Sequence, residues 1–165
     1  MIEIPYIEPV FRPPSEAYSL ILQVTNGCSW NRCTFCEMYT LPQKRFHLKP
    51  LEQVEQEVAA VARSGYPVRR VFLADGNALV LNTGRLVTIL DALSSAFPDL
   101  RRVGIYANAR DLLSKSHDEL KLLREKHLQI VYLGLESGSD EVLQRINKGA
   151  TAAEMVEAVH HAKAA

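Results

Sequence analysis

Long apolar runs, an excess of charge of either sign and the cysteine content of a disulfide framework are all missing from this chain. No apolar stretch approaches the roughly 20 residues that a membrane-crossing helix needs. Met1-Ile2-Glu3-Ile4-Pro5 lacks the basic start and apolar core of a secretory leader. Nineteen Lys and Arg offset nineteen Asp and Glu, so no global field draws nucleic acid or anionic lipid, and such partners need a local patch. The expectation is a cytoplasmic protein with no membrane partner and no clear nucleic-acid signal. There are three cysteines, Cys28, Cys33 and Cys36; an odd set packed into nine residues suits a metal site better than disulfides. The rest is ordinary for a globular domain: 165 residues, 47% apolar and 23% charged, enough to bury one core.

Four prolines and little periodicity mark residues 1–18 as an extended arm, and residues 19–165 as the folded core. Within the core, short apolar runs alternate with helical patterns. The runs are Ser19–Thr25, Arg69–Ala74, Arg101–Ala107 and Ile130–Leu135, the middle two starting 32 residues apart. Between them Leu51, Val54, Val58 and Val61 recur at helical spacing, as do Leu86, Ile89, Leu90 and Leu93. Ser116 with Glu119 and Thr151 with Glu154 read as capping boxes, and Ser139 as the cap of a short helix. The pattern predicts an α/β fold, a parallel sheet with helices. Right-handed crossovers then bring every strand's C-terminal end to one face, where such folds carry their chemistry. Arg69-Arg70 and Arg101-Arg102 fall at the opposite end and read as solvated charge rather than a phosphate site.

Cys28-Ser29-Trp30-Asn31-Arg32-Cys33-Thr34-Phe35-Cys36 follows the first strand directly. Thiolates suit iron–sulfur clusters or zinc. Three of them leave one iron of a four-iron cluster without a protein ligand, and that iron is free to bind something else. The competing readings are zinc held with His47, a dithiol pair at Cys33 and Cys36, or a non-catalytic iron–sulfur module for electron transfer or sensing. Met38 and Tyr39 are candidates for either pocket lining or core.

This loop resembles the signature of the radical S-adenosylmethionine superfamily, with four residues and then two between the cysteines where three and then two are usual. The resemblance implies a [4Fe–4S] cluster on Cys28, Cys33 and Cys36, and S-adenosylmethionine (SAM) as the second cofactor, cleaved to a 5′-deoxyadenosyl radical. Phe35 stands where the family has an aromatic residue beside the cofactor's adenine. Asp75, Gly76 and Asn77 fall where a Gly-Gly-Glu-like stretch accepts the methionine amino group, with Asn77 in place of glutamate. Asn108 follows the third strand, at a position that often faces the cofactor and equally suits a helix cap. Gly134–Leu143 resembles the fourth-strand motif of the branch containing methylthiotransferases and oxygen-independent coproporphyrinogen oxidase-like enzymes. There Glu136 and Ser137 are expected to contribute to cofactor binding, and Lys148, with Arg145 as its rival, to pair with the cofactor carboxylate. The family's fold is a partial TIM-like barrel of six β/α units; four are counted here, so the chain is expected to be part of a longer one. A flavodoxin- or ferredoxin-like one-electron donor is the implied partner, and the substrate is not specified.

Overall fold

A computed structural model describes residues 4–165. Its strands and helices run β1 Leu20–Gln23, β2 Thr25–Asn26, β3 His47–Leu48, α1 Leu51–Arg63, β4 Arg70–Ala74, α2 Thr83–Ala96 and β5 Arg102–Ala107. They continue through α3 Ala109–Leu113, α4 His117–Glu125, β6 Leu128–Leu133, α5 Asp140–Arg145 and α6 Ala152–Ala164. Four strands form one parallel sheet in the order β1-β4-β5-β6. Chain order and spatial order agree, as expected when each crossover steps one strand along.

The pleat sorts side chains between two faces. Leu22, Leu73, Ile105 and Val131 point to the face covered by helices, where they join Val54 and Val58 of α1, Leu86 and Leu90 of α2, Leu123 of α4 and Met155 of α6 in one core. The opposite face carries Gln23, Phe72, Tyr106 and Tyr132, the last two directly opposite each other on neighbouring strands. Phe72 meets Tyr106 and Tyr132 edge to face, with ring centroids 4.9 and 5.9 Å apart, a geometry that aromatic quadrupoles favour.

The arm is not a loose extension. Tyr6 donates its hydroxyl to the Ile21 carbonyl at 2.8 Å. Glu16, fully buried, lies beneath the inner face, accepting from Tyr132 Oη at 2.6 Å, from Arg102 at 3.0 Å and from Ser19. Arg102 is therefore a structural partner, whereas Arg69 and Arg101 are exposed as expected at the strand starts. The first apolar run also divides. Val24 donates to Ala74 O and accepts from Lys49 N, and after it the chain leaves the sheet for a two-residue antiparallel ribbon, β2 with β3. The fourth strand starts two residues before the apolar run, at Leu128, because the His127 carbonyl already bonds Val103 N. The expected capping boxes form at Ser116–Glu119 and Thr151–Glu154.

Candidate functional site

The C-terminal ends of the strands and the loop after β2 enclose a cavity of about 190 Å³. Cys28, Cys33 and Cys36 all line it, together with Phe35, Gly76, Asn108, Glu136 and Lys148. Eight of the eleven residues named from sequence are thus brought to one place. Tyr106, Tyr132, Met38 and Tyr39 complete much of the wall.

Close packing brings the loop onto the sheet. A Cβ on Gly76 would stand 2.7 Å from Cys28 Cβ and 2.9 Å from Cys28 Cα, so only glycine lets the first cysteine seat on the end of β4. The loop tip docks elsewhere: Trp30 donates to Asn147 O at 2.8 Å, and Thr34 N to Ile146 O at 3.0 Å. The indole lies against Gly149, with the Arg110 guanidinium 4.6 Å from its centroid on β5's following helix and Arg32 at 5.3 Å. These contacts tie the cysteine loop to the segment between α5 and α6.

Asn77 and Asp75 lie elsewhere than the cofactor-binding expectation puts them. Asp75 is fully buried beneath the loop, paired with Lys44 and bonded by Gln23 and Gly27 N. The Asn77 amide is already used: its oxygen accepts from Ser29 N at 2.8 Å, and its nitrogen donates to Ser29 Oγ and Asp111 Oδ2 at 2.7 and 2.9 Å. Neither side chain lines the cavity. Ser137 also turns away, accepting from Ser139 N at 3.1 Å. Their motifs hold the loop and the strand end; of those two stretches, Gly76 and Glu136 reach the cavity. Asn108 is the residue before α3, a short helix the sequence pattern did not reveal. Asp111 closes its first turn on Asn108 N at 2.8 Å.

At the far wall Lys148 Nζ donates to Glu136 Oε1 at 3.0 Å and stands 5.9 Å from the Phe35 ring centroid. The carboxylate is about a third exposed and the ammonium 10% exposed, so a ligand can reach both charges. Arg145 is exposed and paired with Glu141, which leaves Lys148 as the basic group facing the cavity. Burial pushes the Cys33 thiol up, against the lowering influence of Lys148. Burial, with Tyr132 and the Asp75 charge, pushes Tyr106 up to about 12, so its hydroxyl remains a hydrogen-bond donor toward the cavity. Tyr39 is raised further, by burial first and then by Asp75.

The donor set can be tested against the group it is expected to hold. All three thiols are free and partly accessible. Among the described residues, no three His, Cys, Asp or Glu side chains close on a single metal ion. His47, the fourth ligand of a zinc reading, is exposed on β3 with Nδ1 at 2.9 Å from Arg45 O, outside the cavity. Three accessible soft donors on one concave wall fit a cluster with one iron left to an outside ligand.

Residues 22–165 match the profile of the Radical SAM superfamily. A tRNA-2-methylthio-N(6)-dimethylallyladenosine synthase of Chlorobium luteolum is 29% identical over 161 residues, covering 88% of this chain and 35% of that protein. The chain spans about a third of the length of the curated relatives it matches. Among solved structures, the cobalamin-dependent S-adenosylmethionine radical enzyme OxsB, with aqua-cobalamin and S-adenosylmethionine bound, has a TM-score of 0.69 at 21% identity over 87% of this chain and 22% of that one. Coproporphyrinogen III oxidase from Escherichia coli has a TM-score of 0.65 at 19% identity, over 88% of this chain and 34% of its own. At these identities the two structures bear on the fold, an α/β sheet of the TIM-like barrel kind. The family match covers nearly the whole chain, and this protein belongs to the radical SAM superfamily.

Proposed function

We propose that this chain is the cofactor-binding part of an enzyme that holds a [4Fe–4S] cluster on Cys28, Cys33 and Cys36 and cleaves SAM reductively. One observation carries the reading: the three thiols, Phe35 and the Glu136–Lys148 pair share one wall-to-wall cavity at the C-terminal ends of the strands. Held on these three thiolates and reduced by an external one-electron donor, a [4Fe–4S] cluster would supply the electron for reductive cleavage of SAM to methionine and a 5′-deoxyadenosyl radical, the species that would abstract hydrogen from a substrate.

The protein's part is binding, orientation and exclusion of water. Lys148 offers a charge-assisted hydrogen bond to the methionine carboxylate, and Glu136 an acceptor for ribose hydroxyls. In the structure these two side chains satisfy each other at 3.0 Å, so neither charge waits unpaired before the cofactor arrives. Phe35, half exposed, presents a ring face to a purine, and Asn108 adds a polar contact from the start of α3. Tyr106 and Tyr132 form the aromatic floor on which a substrate rests. Similarity to methylthio-transferring and methylating relatives favours a reaction that functionalises carbon, with the electron coming from a small external flavodoxin- or ferredoxin-like donor.

Anaerobic reconstitution with iron and sulfide, followed by reduction with SAM, tests this. About four irons per chain and release of 5′-deoxyadenosine are expected, with both lost in a Cys33→Ala variant. A filled cluster with no cleavage, in this chain and in any longer chain containing it, refutes the catalytic reading and leaves the non-catalytic iron–sulfur module.

A further inference from the structure

The loop that carries the cysteines runs from Gly27 to Lys44, and its two ends meet on one carboxylate. Gly27 N donates to Asp75 Oδ2 at 3.2 Å, and the Lys44 ammonium pairs with the same oxygen. The approach is close: with φ at +67°, a Cβ on Gly27 would stand 2.0 Å from the Lys44 carbonyl oxygen. Asn26 seals the same neck, donating to the carbonyls of Gln43 and Arg45 at 2.7 and 3.0 Å. From the arm, Ile7 O accepts from Lys44 Nζ at 2.9 Å.

Both charged side chains are fully buried. Desolvation of two charges offsets most of their attraction, so an apolar pair of similar volume holds a loop at least as well. An ion pair here therefore needs a reason beyond stability, and its position supplies one. The residue after Asp75 is Gly76, on which Cys28 is packed, so both charges lie directly beneath the thiol wall. Asp75 Oδ1 is also buried and takes no part in the clasp.

We infer that Lys44 and Asp75 are a positioning pair for the cluster, closing the neck of the cysteine loop and balancing the charge beneath it. The inference rests on the reading of the three cysteines as cluster ligands. It assigns Asp75 to the loop rather than to SAM, and it gives a role to Lys44, which no motif marks.

The test compares the chain with its Lys44→Gln, Asp75→Asn and Lys44→Gln/Asp75→Asn variants, each reconstituted anaerobically with ferrous iron and sulfide. Two quantities are read: the midpoint potential of the bound cluster and the rate of iron release to a ferrous chelator. Lys44→Gln leaves a lone buried anion and lowers the potential; Asp75→Asn leaves a lone cation and raises it; the double variant returns toward the parent value. Release accelerates at least about tenfold in the two single variants, because each is left with an uncompensated buried charge at the neck, and the double variant, neutral at both positions, stays nearer the parent. Shifts of the same sign in both single variants, or parent-like release from both, overturn the inference, since mere loosening moves both potentials one way. If one single variant does not fold by circular dichroism, the other carries the test through the sign of its shift. If the parent chain binds no cluster, the cluster reading fails instead. The neck is then read by limited proteolysis between Gly27 and Lys44 in the apo chain, where unchanged cleavage of the single variants removes the clasp as well.

Discussion

Replacing Gly76 by alanine isolates the contact on which the site depends. The added Cβ meets Cys28 Cβ at 2.7 Å, Tyr39 Cε2 at 2.8 Å and Cys28 Cα at 2.9 Å. Ordinary contact begins near 3.4 Å, so Cys28 must retreat from the end of β4 by 0.7 Å (3.4 minus 2.7). Rotation of a side chain cannot relieve this, because one of the atoms is backbone and Tyr39 is itself buried. Gly76 has no left-handed φ, so the effect is steric alone. Overpacking of this kind costs about 1–3 kcal/mol. With a urea slope of about 2 kcal/mol/M, the unfolding midpoint falls by roughly 1 M. The same displacement spoils convergence of the thiols, and iron retained after anaerobic reconstitution drops at limiting iron. Gly138→Ala is the control: nothing lies within 4 Å of its Cβ position, and its effect stays within about 0.5 kcal/mol. A Gly76→Ala chain with the parent's midpoint and iron content would show that the cysteine loop does not seat on the strand end.

Three further outcomes follow from other parts of the structure. Gly149→Ala places a Cβ 2.5 Å from the Trp30 ring at a φ of +77°. Since Trp30 is the sole tryptophan, its emission should shift to the red as the loop tip lifts off, and an unshifted spectrum refutes the docking. Lys148→Met should weaken SAM binding at least tenfold, about 1.4 kcal/mol or more, while Arg145→Met leaves it unchanged; equilibrium dialysis with reconstituted protein distinguishes them. Burial holds the Tyr6 phenol near 12 against an ordinary 10. The folded state therefore keeps a proton that the unfolded state loses, so stability is full below pH 10 and falls as pH rises toward 12. Urea midpoints measured across that window should fall less steeply in Tyr6→Phe, and an unchanged slope contradicts the assignment.

Much of the fold could be read from local pattern. Apolar strand runs, helical spacing at Leu51–Val61 and Leu86–Leu93, and the capping boxes at Ser116 and Thr151 each concern residues within a few positions of one another, where period and propensity act. The cysteine spacing is local too, and with Phe35 it pointed to the family and to the candidate site. Strand-end residues Gly76, Asn108 and Glu136 were reachable because a parallel sheet sends all its C-terminal ends to one face.

What sequence alone could not decide depends on which distant groups meet. Asp75 and Asn77 sit in the right stretch, yet whether a polar side chain faces a cavity or the interior turns on partners 31 to 52 residues away: Gln23, Lys44, Ser29 and Asp111. Glu16 looks like an ordinary charge in a proline-rich arm until Arg102 and Tyr132 enclose it across a separation of 86 and 116 residues. The cysteine loop itself was legible as chemistry, but its closure on a buried Lys44–Asp75 pair was not. Thiols at short spacing declare their softness to any reader; a lysine declares its partner only when the chain has folded and removed it from water.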